Sequence, residues 1–568
     1  MSSRDMHVHA SIARRVAAAG LSLSLALLPL AGCASSSSDD SGSSSTSVAT
    51  TGSTASTIVA SGDAVQVLGD TDVFTNRDLD PSYDESEAIT IALSDSGSTV
   101  SGGGVDIDGS TVTITTAGTY VVSGTLSDGR IVVNADDSSK VQIVLDGASV
   151  SCSSSAALYV ISADKVFLTL ADGTTNALAT TGDFVETDDN NVDGAVFAKD
   201  DLTINGTGAL DVTCSAGHGI VCKNDLRLVS GAVSVNASSH AIQAKDSVAV
   251  CGGTWDLAGG TDGIHCANDE DTAKGWIYVT GGTIGITAAS DGFDASGVLQ
   301  IDGGTITVNA GDDGIHAEYE LAINGGTIDV QQSYEGVEGS KVYVTSGSTT
   351  IYSTDDGINA AGDPSTTSSG LGGMGGGMGS DDSAYLLVSG GIVIIDAPGG
   401  DGVDSNGDFD MTGGEVYISG PTNGGNGSID YGDGATATIT GGTIMCAGAS
   451  GMQETFGTSS SQASALVSLS GSAGDTITVS DASGTVLGSF TCVEDYDVVV
   501  VSCAGMVSGG SYTITAGSDS TTITMDSVVY DDGGSDTGGG MGQMQGGPGT
   551  RGTGSSTGSS SRAGNATV

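Results

Sequence analysis

The sequence predicts an all-β chain: a right-handed parallel β-helix, three-stranded coils of about 22 residues, and a small C-terminal β cap. Three observations carry that expectation. A small residue recurs at positions 219, 241, 263, 292, 314, 336, 357 and 402, with steps of 22, 22, 29, 22, 22, 21 and 45. Apolar residues alternate with polar ones within each repeat, which is a strand signal. No helix-period pattern competes beyond the N-terminal region.

The repeat dictates its own interior. One residue after the small position the side chain is large and apolar: Ile220, Ile242, Ile264, Phe293, Ile315, Val337, Ile358, Val403. Three after, it is small: Cys222, Ala244, Cys266, Ala295, Ala317, Gly339, Ala360, Ser405. Both positions therefore face inward, and the residue between them faces out. Twelve after comes a second glycine in most coils, at 231, 253, 304, 326 and 414. The recurring glycines suit corners that need positive φ. The long steps mark insertions after Cys266 and after Ala360, both at one corner. Strand-like segments at 112–122 and 141–150 form the first coils or an N-terminal cap. Alternating strands from about 460 to 529 form the C-terminal cap, which shields an open sheet edge.

Composition narrows the partners. The 568-residue chain holds 69 Asp and Glu against 15 Lys and Arg, a formal net charge of −54. Nucleic acid is excluded as a natural partner, because its phosphates would be repelled. At the N-terminus Arg14 and Arg15 precede the apolar run 16–30 and then Leu30-Ala31-Gly32-Cys33. That order reads as an export signal ending in a lipobox, with Cys33 as the lipidation site. The expected organisation is a signal peptide at 1–33, a Ser-rich linker at 34–72 and a β-helix at 73–455. A β cap at 456–530 and a Gly/Ser-rich tail at 531–568 follow. The chain is expected to be exported, lipid-anchored at the bacterial cell surface and monomeric.

The chemistry lies in two columns at the corner. Before the small residue stand His218, His240, Asp262, Asp291, Asp313, Glu335, Asp356 and Asp401; two after it stand Val221, Gln243, His265, Asp294, His316, Glu338, Asn359 and Asp404. Like charges stacked on neighbouring strands about 4.8 Å apart repel. Ca²⁺, a hard cation with six to eight oxygen ligands, would neutralise them. The expected ligands are Asp262, Asp291, Asp294, Asp312, Asp313, Glu335, Glu338, Asp355, Asp356, Asp401 and Asp404. The competing reading is that each Asp merely bonds backbone at its turn. His265 and His316 are read as polar surface residues, metal ligation or sugar contact being the alternatives. Lys199, Lys223 and Lys245 form a short basic column, read as charge pairing with neighbouring acids. Trp276, Tyr278, Tyr319, Tyr334 and Tyr343 are candidate sugar contacts, with Trp276, Tyr278 and Tyr343 on outward strand positions. Cys222 and Cys266 fall on the inward column as buried thiols, and Cys492 and Cys503 are the best disulfide candidates.

Ordered blocks then suggest a family. They are 74–78 (Phe-Thr-Asn-Arg-Asp), 117–124 (Ala-Gly-Thr-Tyr-Val-Val-Ser-Gly), 141–147, 199–206 (Lys-Asp-Asp-Leu-Thr-Ile-Asn-Gly) and the repeated Asp-Gly-Ile corners. Over about 74–530 the chain resembles the bacterial carbohydrate-binding β-helix family. Its members bind cellulose and acidic plant sugars and look like polysaccharide lyases with calcium sites. The resemblance implies a calcium-holding acidic column and a polysaccharide partner. The expected function is non-catalytic glycan binding at the cell surface. The alternatives are a pectate-lyase-like enzyme, with Lys341 as its one plausible base, and a structural adhesin or stalk.

Overall fold

The computed structural model describes residues 62–69, 71–186, 188–362 and 381–532. The signal region with Cys33, the Ser-rich tract 35–56, residues 363–380 of the Gly/Met-rich insertion and the tail from 533 lie outside the described residues.

Strands recur in threes. The first face of the solenoid stacks His218–Cys222, Ile242–Ala244, Ile264–Cys266 and Phe293–Ala295. The second stacks Asp225–Leu228, Ser247–Val250, Trp276–Val279 and Leu299–Ile301. The third stacks Ala232–Ala237, Thr254–Gly259, Thr283–Ala288 and Thr305–Asn309. Each of these strands pairs in parallel with the strand of the same face one coil on. Ile220 thus stands under Ile242, Ile264, Phe293, Ile315, Val337, Ile358, Val403 and Ile429 in turn. All nine are at most 1% exposed. Equivalent residues stacked in this way merge into one interior cluster running from Ile91 to Val500. The early segments share it: Tyr120 stacks on Ile143, Leu168, Ile204 and Leu228 without a break.

Two kinds of glycine hold the corners. The second series has the positive φ expected of it, as at Gly231 (φ 107°) and Gly304 (φ 106°). The glycines of the Asp-Gly corners do not, and a different constraint selects them. A Cβ on Gly263 would lie 2.6 Å from the carbonyl oxygen of Gly292, and one on Gly314 would lie 2.5 Å from that of Gly336. These corners need glycine for close approach of successive backbones, not for a left-handed turn.

Antiparallel strands close both ends. Val105–Asp108 turns back on Thr111–Ile114, and Ile89–Leu93 carries Thr99–Val100. At the other end Thr443–Gly448 is the last parallel strand of the third face, and Tyr496–Ser502 pairs with it in the opposite sense. Ser464–Gly471 and Val529–Asp531 extend that sheet. A four-stranded antiparallel sheet, from Thr476–Asp481 to Asp519–Thr524, packs a second core with it. Cys492 and Cys503 are both buried in this core as free thiols, not joined as the sequence suggested.

The end of the expected linker is instead part of the solenoid. A strap covering 62–69 and 71–82 runs along the outside of the second face. Gly62 N–H donates to Thr345 O, Val65 N–H to Asn324 Oδ1, and Val67 N–H to Gln300 Oε1. Farther along, Arg227 Nε donates to Val73 O, and Gln142 Nε2 to Pro81 O. Leu68, Val73 and Phe74 pack over Tyr278 and Trp276. The strap ends in the short helix Asn76–Leu79, closed by a capping box between Thr75 and Asp78. Asp78 has no exposed surface; it accepts from Thr203 Oγ1 at 2.5 Å and pairs with Lys165 Nζ at 2.8 Å. Burial disfavours its charge, but Lys165, Thr203 and Thr75 outweigh that and hold its pKa below the usual value.

Replacing Asp78 with Ala strands the nearly buried Lys165 ammonium, which costs about 3–5 kcal/mol when such a pair is broken from one side. The Asp78→Ala chain is expected to unfold at lower denaturant and to show red-shifted Trp276 emission. Asp84→Ala, on an exposed carboxylate, is expected to change the unfolding midpoint far less.

Candidate functional site

The outer column of the first face is one continuous ladder. In stacking order it reads Val132, Tyr159, Phe197, Val221, Gln243, His265, Asp294, His316, Glu338, Asn359, Asp404 and Asp430. Its character changes along its length. The first four are apolar and lie under Val192 and Ile161 in a small cluster of their own. Histidines follow, then carboxylates.

The corner residues before the glycine make a second ladder. Asp262 Oδ1 accepts the N–H of Asp291 at 3.2 Å, and Asp291 Oδ1 accepts that of Asp313 at 2.9 Å. Asp356 Oδ1 accepts the N–H of Asp401 at 2.7 Å, and Asp401 Oδ1 that of Gly427 at 2.6 Å. The turn-bonding role is therefore real, but it occupies one oxygen of each carboxylate and leaves the other facing the column.

Two electrostatic regimes result. In the middle coils, imidazoles alternate with acids. Asp262 Oδ2 lies 2.8 Å from His240 Nδ1 and 3.3 Å from His265 Nδ1; Asp294 lies 2.6 Å from His265 and 3.0 Å from His316. Burial works against the charge of Asp262, His265, Asp294 and His316, yet their mutual hydrogen bonds win. Asp262 and Asp294 are held well below the carboxylate range, while His265 is lifted to about 9 and His316 is also raised. His218 differs: burial and the neighbouring His240 push it down to about 4. The rings of His218, His240 and His265 stack at 4.8 and 4.4 Å.

Farther along, the acids face one another. Asp313, Glu335 and Glu338 each bring an oxygen within 4.8 Å of the others, and so do Asp356, Asp401 and Asp404. No Lys, Arg or His among the described residues forms an ion pair with these six. Burial, reinforced by neighbouring carboxylates, raises Glu335 to about 7, Asp356 to about 6, and Asp401 and Asp404 to about 8; Asp313 is raised as well. Between the two clusters sits Asn359, 8% exposed, stacked between Glu338 and Asp404. Its Nδ2 donates to Glu335 Oε2 at 2.9 Å, but its buried Oδ1 has no hydrogen-bond partner. A buried carbonyl oxygen left unmatched among carboxylates is the donor set that a hard oxygen-seeking cation requires.

This surface can now be set beside known proteins. A family model described as "Carbohydrate-binding domain-containing protein" matches residues 108–372. A protein of that description from Acetivibrio thermocellus is 37% identical over 136 residues, which is 24% of this chain and 48% of the relative. The chain thus spans about half the length of that curated relative. A solved structure, described as the polysaccharide lyase-like protein from C. thermocellum, gadolinium derivative, is 33% identical. The match covers 42% of this chain and 96% of that one, with a TM-score of 0.40. The family model thus spans a little under half of this chain.

The remaining expected residues scatter. Asp291 and the exposed Asp312 join Asp313 in a further acidic group, and Asp355 lies beside Asp356. Tyr278 points out of its strand but is only 4% exposed, because the strap covers it, and its hydroxyl donates to Asp302 at 2.7 Å. It cannot stack on a sugar. Trp276 packs in the same cluster with Arg227 over its ring at 5.5 Å. Tyr343 is engaged edge-on by Tyr385 at 6.0 Å, and Tyr319 is half-buried near the corner. Tyr334 is 47% exposed beside Glu335, and Tyr352, absent from the sequence expectation, is 39% exposed on the third face. Lys223 and Lys245 line a cavity of about 230 Å³ with Gln243; Lys245 pairs with Glu270 at 2.7 Å and Lys223 lies 3.9 Å from Asp193. Lys341 is tied to Glu320 at 3.1 Å, and that bond raises its pKa, the wrong direction for a general base. Sequence reading also missed Asp430 and Glu454. Asp430 continues the outward column but follows Ser428 where most coils have glycine, and Glu454 Oε2 accepts from Tyr431 N–H one layer on.

Raised carboxyls bind protons on folding. The stability they contribute is complete below about pH 4, where unfolded carboxyls titrate. It is lost as pH rises through the folded values, about 6 for Asp356 and about 8 for Asp401 and Asp404. In chelator, the melting midpoint is expected to fall across that interval, and Ca²⁺ added at its upper end is expected to restore it. A midpoint indifferent to both would show that the clusters hold no cation.

Proposed function

We propose that this chain is a non-catalytic polysaccharide-binding protein. Its acidic column carries Ca²⁺ on a right-handed solenoid of three-stranded, roughly 22-residue coils. In this reading the chain is exported and anchored at the bacterial surface through Cys33. The observation that carries the calcium assignment is Asn359 Oδ1, buried without a partner between two carboxylate clusters. Two charges about 4.8 Å apart at a partly buried surface repel by on the order of 3 kcal/mol. A corner hydrogen bond returns only about 1 kcal/mol, so backbone bonding alone does not offset an ionised column. Glu338, Asn359, Asp356, Asp401 and Asp404 supply the oxygens a calcium ion would take. Bound there, the ion would neutralise the column and offer open coordination positions to sugar hydroxyls or carboxylates.

The polysaccharide assignment draws on the family description together with that surface. A chain of this net charge repels acidic glycans unless cations intervene. Tyr334, exposed next to Glu335, would supply an apolar ring face beside the ions. Cellulose and acidic plant-type glycans are the candidate partners. The lyase reading is weakened by Lys341, whose amine is committed to Glu320.

Pull-down of the full chain on insoluble cellulose and on polygalacturonate, with and without chelator, tests the proposal. Retention on the acidic glycan is expected with Ca²⁺ and to fall more than tenfold in chelator or in an Asp401→Asn, Asp404→Asn double variant. Retention unchanged by chelator would refute the bridging role. Unsaturated product that vanishes in Lys341→Ala would establish the lyase instead, and failure to bind either glycan would leave a stalk.

A further inference from the structure

The ladder of the first face contains two donor chemistries, and calcium suits only one of them. All four described histidines, His218, His240, His265 and His316, lie on this face in nearby coils. Around Asp262 the ligand atoms are mixed. One nitrogen each from His240 and His265 and one oxygen from Asp262 lie within 4.8 Å of one another. The Asp262 Oδ2 distances are 2.8 Å to His240 Nδ1 and 3.3 Å to His265 Nδ1. Ligand atoms about 2.0–2.2 Å from a tetrahedral zinc ion stand about 3.3 Å apart, so the trio needs only small side-chain shifts to converge on one ion. The backbone holds it in place: Asp262 Oδ1 is occupied by the N–H of Asp291, which leaves Oδ2 aimed at the imidazoles. The stacked ring of His265, 4.4 Å from that of His240, fixes the two nitrogens side by side. The imidazoles keep 18% and 20% of their side-chain surface, so solvent reaches the site.

We propose that His240, Asp262 and His265 form a second metal site, selective for a nitrogen-preferring divalent transition ion of the Zn²⁺ class and separate from the all-oxygen calcium clusters. Imidazole suits Zn²⁺, Ni²⁺ and Cu²⁺, whereas Ca²⁺ takes oxygen. Three protein ligands with solvent at the fourth position make an open site. The metal replaces the proton shared between each imidazole and Asp262. Asp294 Oδ2, which lies 2.6 Å from that same His265 Nδ1, must yield the nitrogen to the metal, while its Oδ1 keeps the contact with His316.

The test uses the full chain, stripped with chelator and returned to excess Ca²⁺ so that the acidic clusters are satisfied. Co²⁺ is added as a coloured stand-in. A single equivalent is expected to bind with visible absorption of nitrogen ligation, to be displaced by Zn²⁺ and to resist Ca²⁺. His240→Ala and His265→Ala are each expected to weaken binding more than about tenfold, the loss that even an outer-shell partner costs. His240→Gln, checked for folding by circular dichroism, carries the same expectation should an Ala variant misfold. Glu338→Gln is expected to leave Co²⁺ binding intact, so failure of the calcium reading does not decide this one. Co²⁺ binding that Ca²⁺ displaces, or that survives His240→Gln, overturns the proposal.

Discussion

In-register parallel pairing governs everything else in this molecule. Once each strand lies on the same strand of the coil before, a residue's nearest neighbour is its own counterpart about 4.8 Å away. Inside, that rule is favourable: Ile220 meets Ile242 and Cys222 meets Ala244, and the interior fills by repetition. Outside, the same rule brings carboxylate onto carboxylate, and the corner must find a compensating charge in every coil. The protein answers in two ways along one column. Histidine alternates with aspartate from His240 to His316, and beyond it the acids converge around a bare amide oxygen.

Much of this was legible in the sequence, for a physical reason. A stacked repeat writes its geometry as a period, so the inward pair Ile264 and Cys266, the corner Gly263 and the outward His265 could be assigned from spacing alone. What spacing could not show is what covers a surface. Tyr278 is outward by alternation and buried in fact, because a strap 200 residues earlier in the chain lies over it (Leu68 N–H to Gln300, 232 residues apart). Nor could it separate the reasons for glycine: Gly231 and Gly263 look alike in sequence, yet one needs its φ and the other needs its missing Cβ. The cysteines show the same limit, since Cys492 and Cys503 share a core without facing each other as a bond. Asp430 escaped because serine stands at its corner in place of glycine.

The candidate site was legible as a column but not as two sites. The sequence places Asp262 and Asp401 in the same series, and only the side-chain contacts distinguish them. Asp262 has two imidazoles within 3.3 Å; Asp401 has other carboxylates. Which partner a charge meets depends on both columns: His240 lies one coil before Asp262 in its own column, and His265 lies in the neighbouring column three residues on. That cross-column geometry is set by how tightly the chain turns at each glycine, and a linear reading does not encode it.

The antiparallel strands at the two ends have a consequence for molecules displayed side by side. A parallel ladder ends in unpaired amides and carbonyls that would accept the first strand of another copy, and a row of such copies would be a fibre. Tyr496–Ser502 reverses direction against Thr443–Gly448, and Thr99–Val100 does the same against Ile89–Leu93. At the first coils the edge strand Thr99–Val100 thus runs the wrong way for an incoming parallel ladder, and at the far end Ser464–Gly471 and Val529–Asp531 cover the reversal. The parallel ladder that builds the core therefore stops at strands belonging to the same chain.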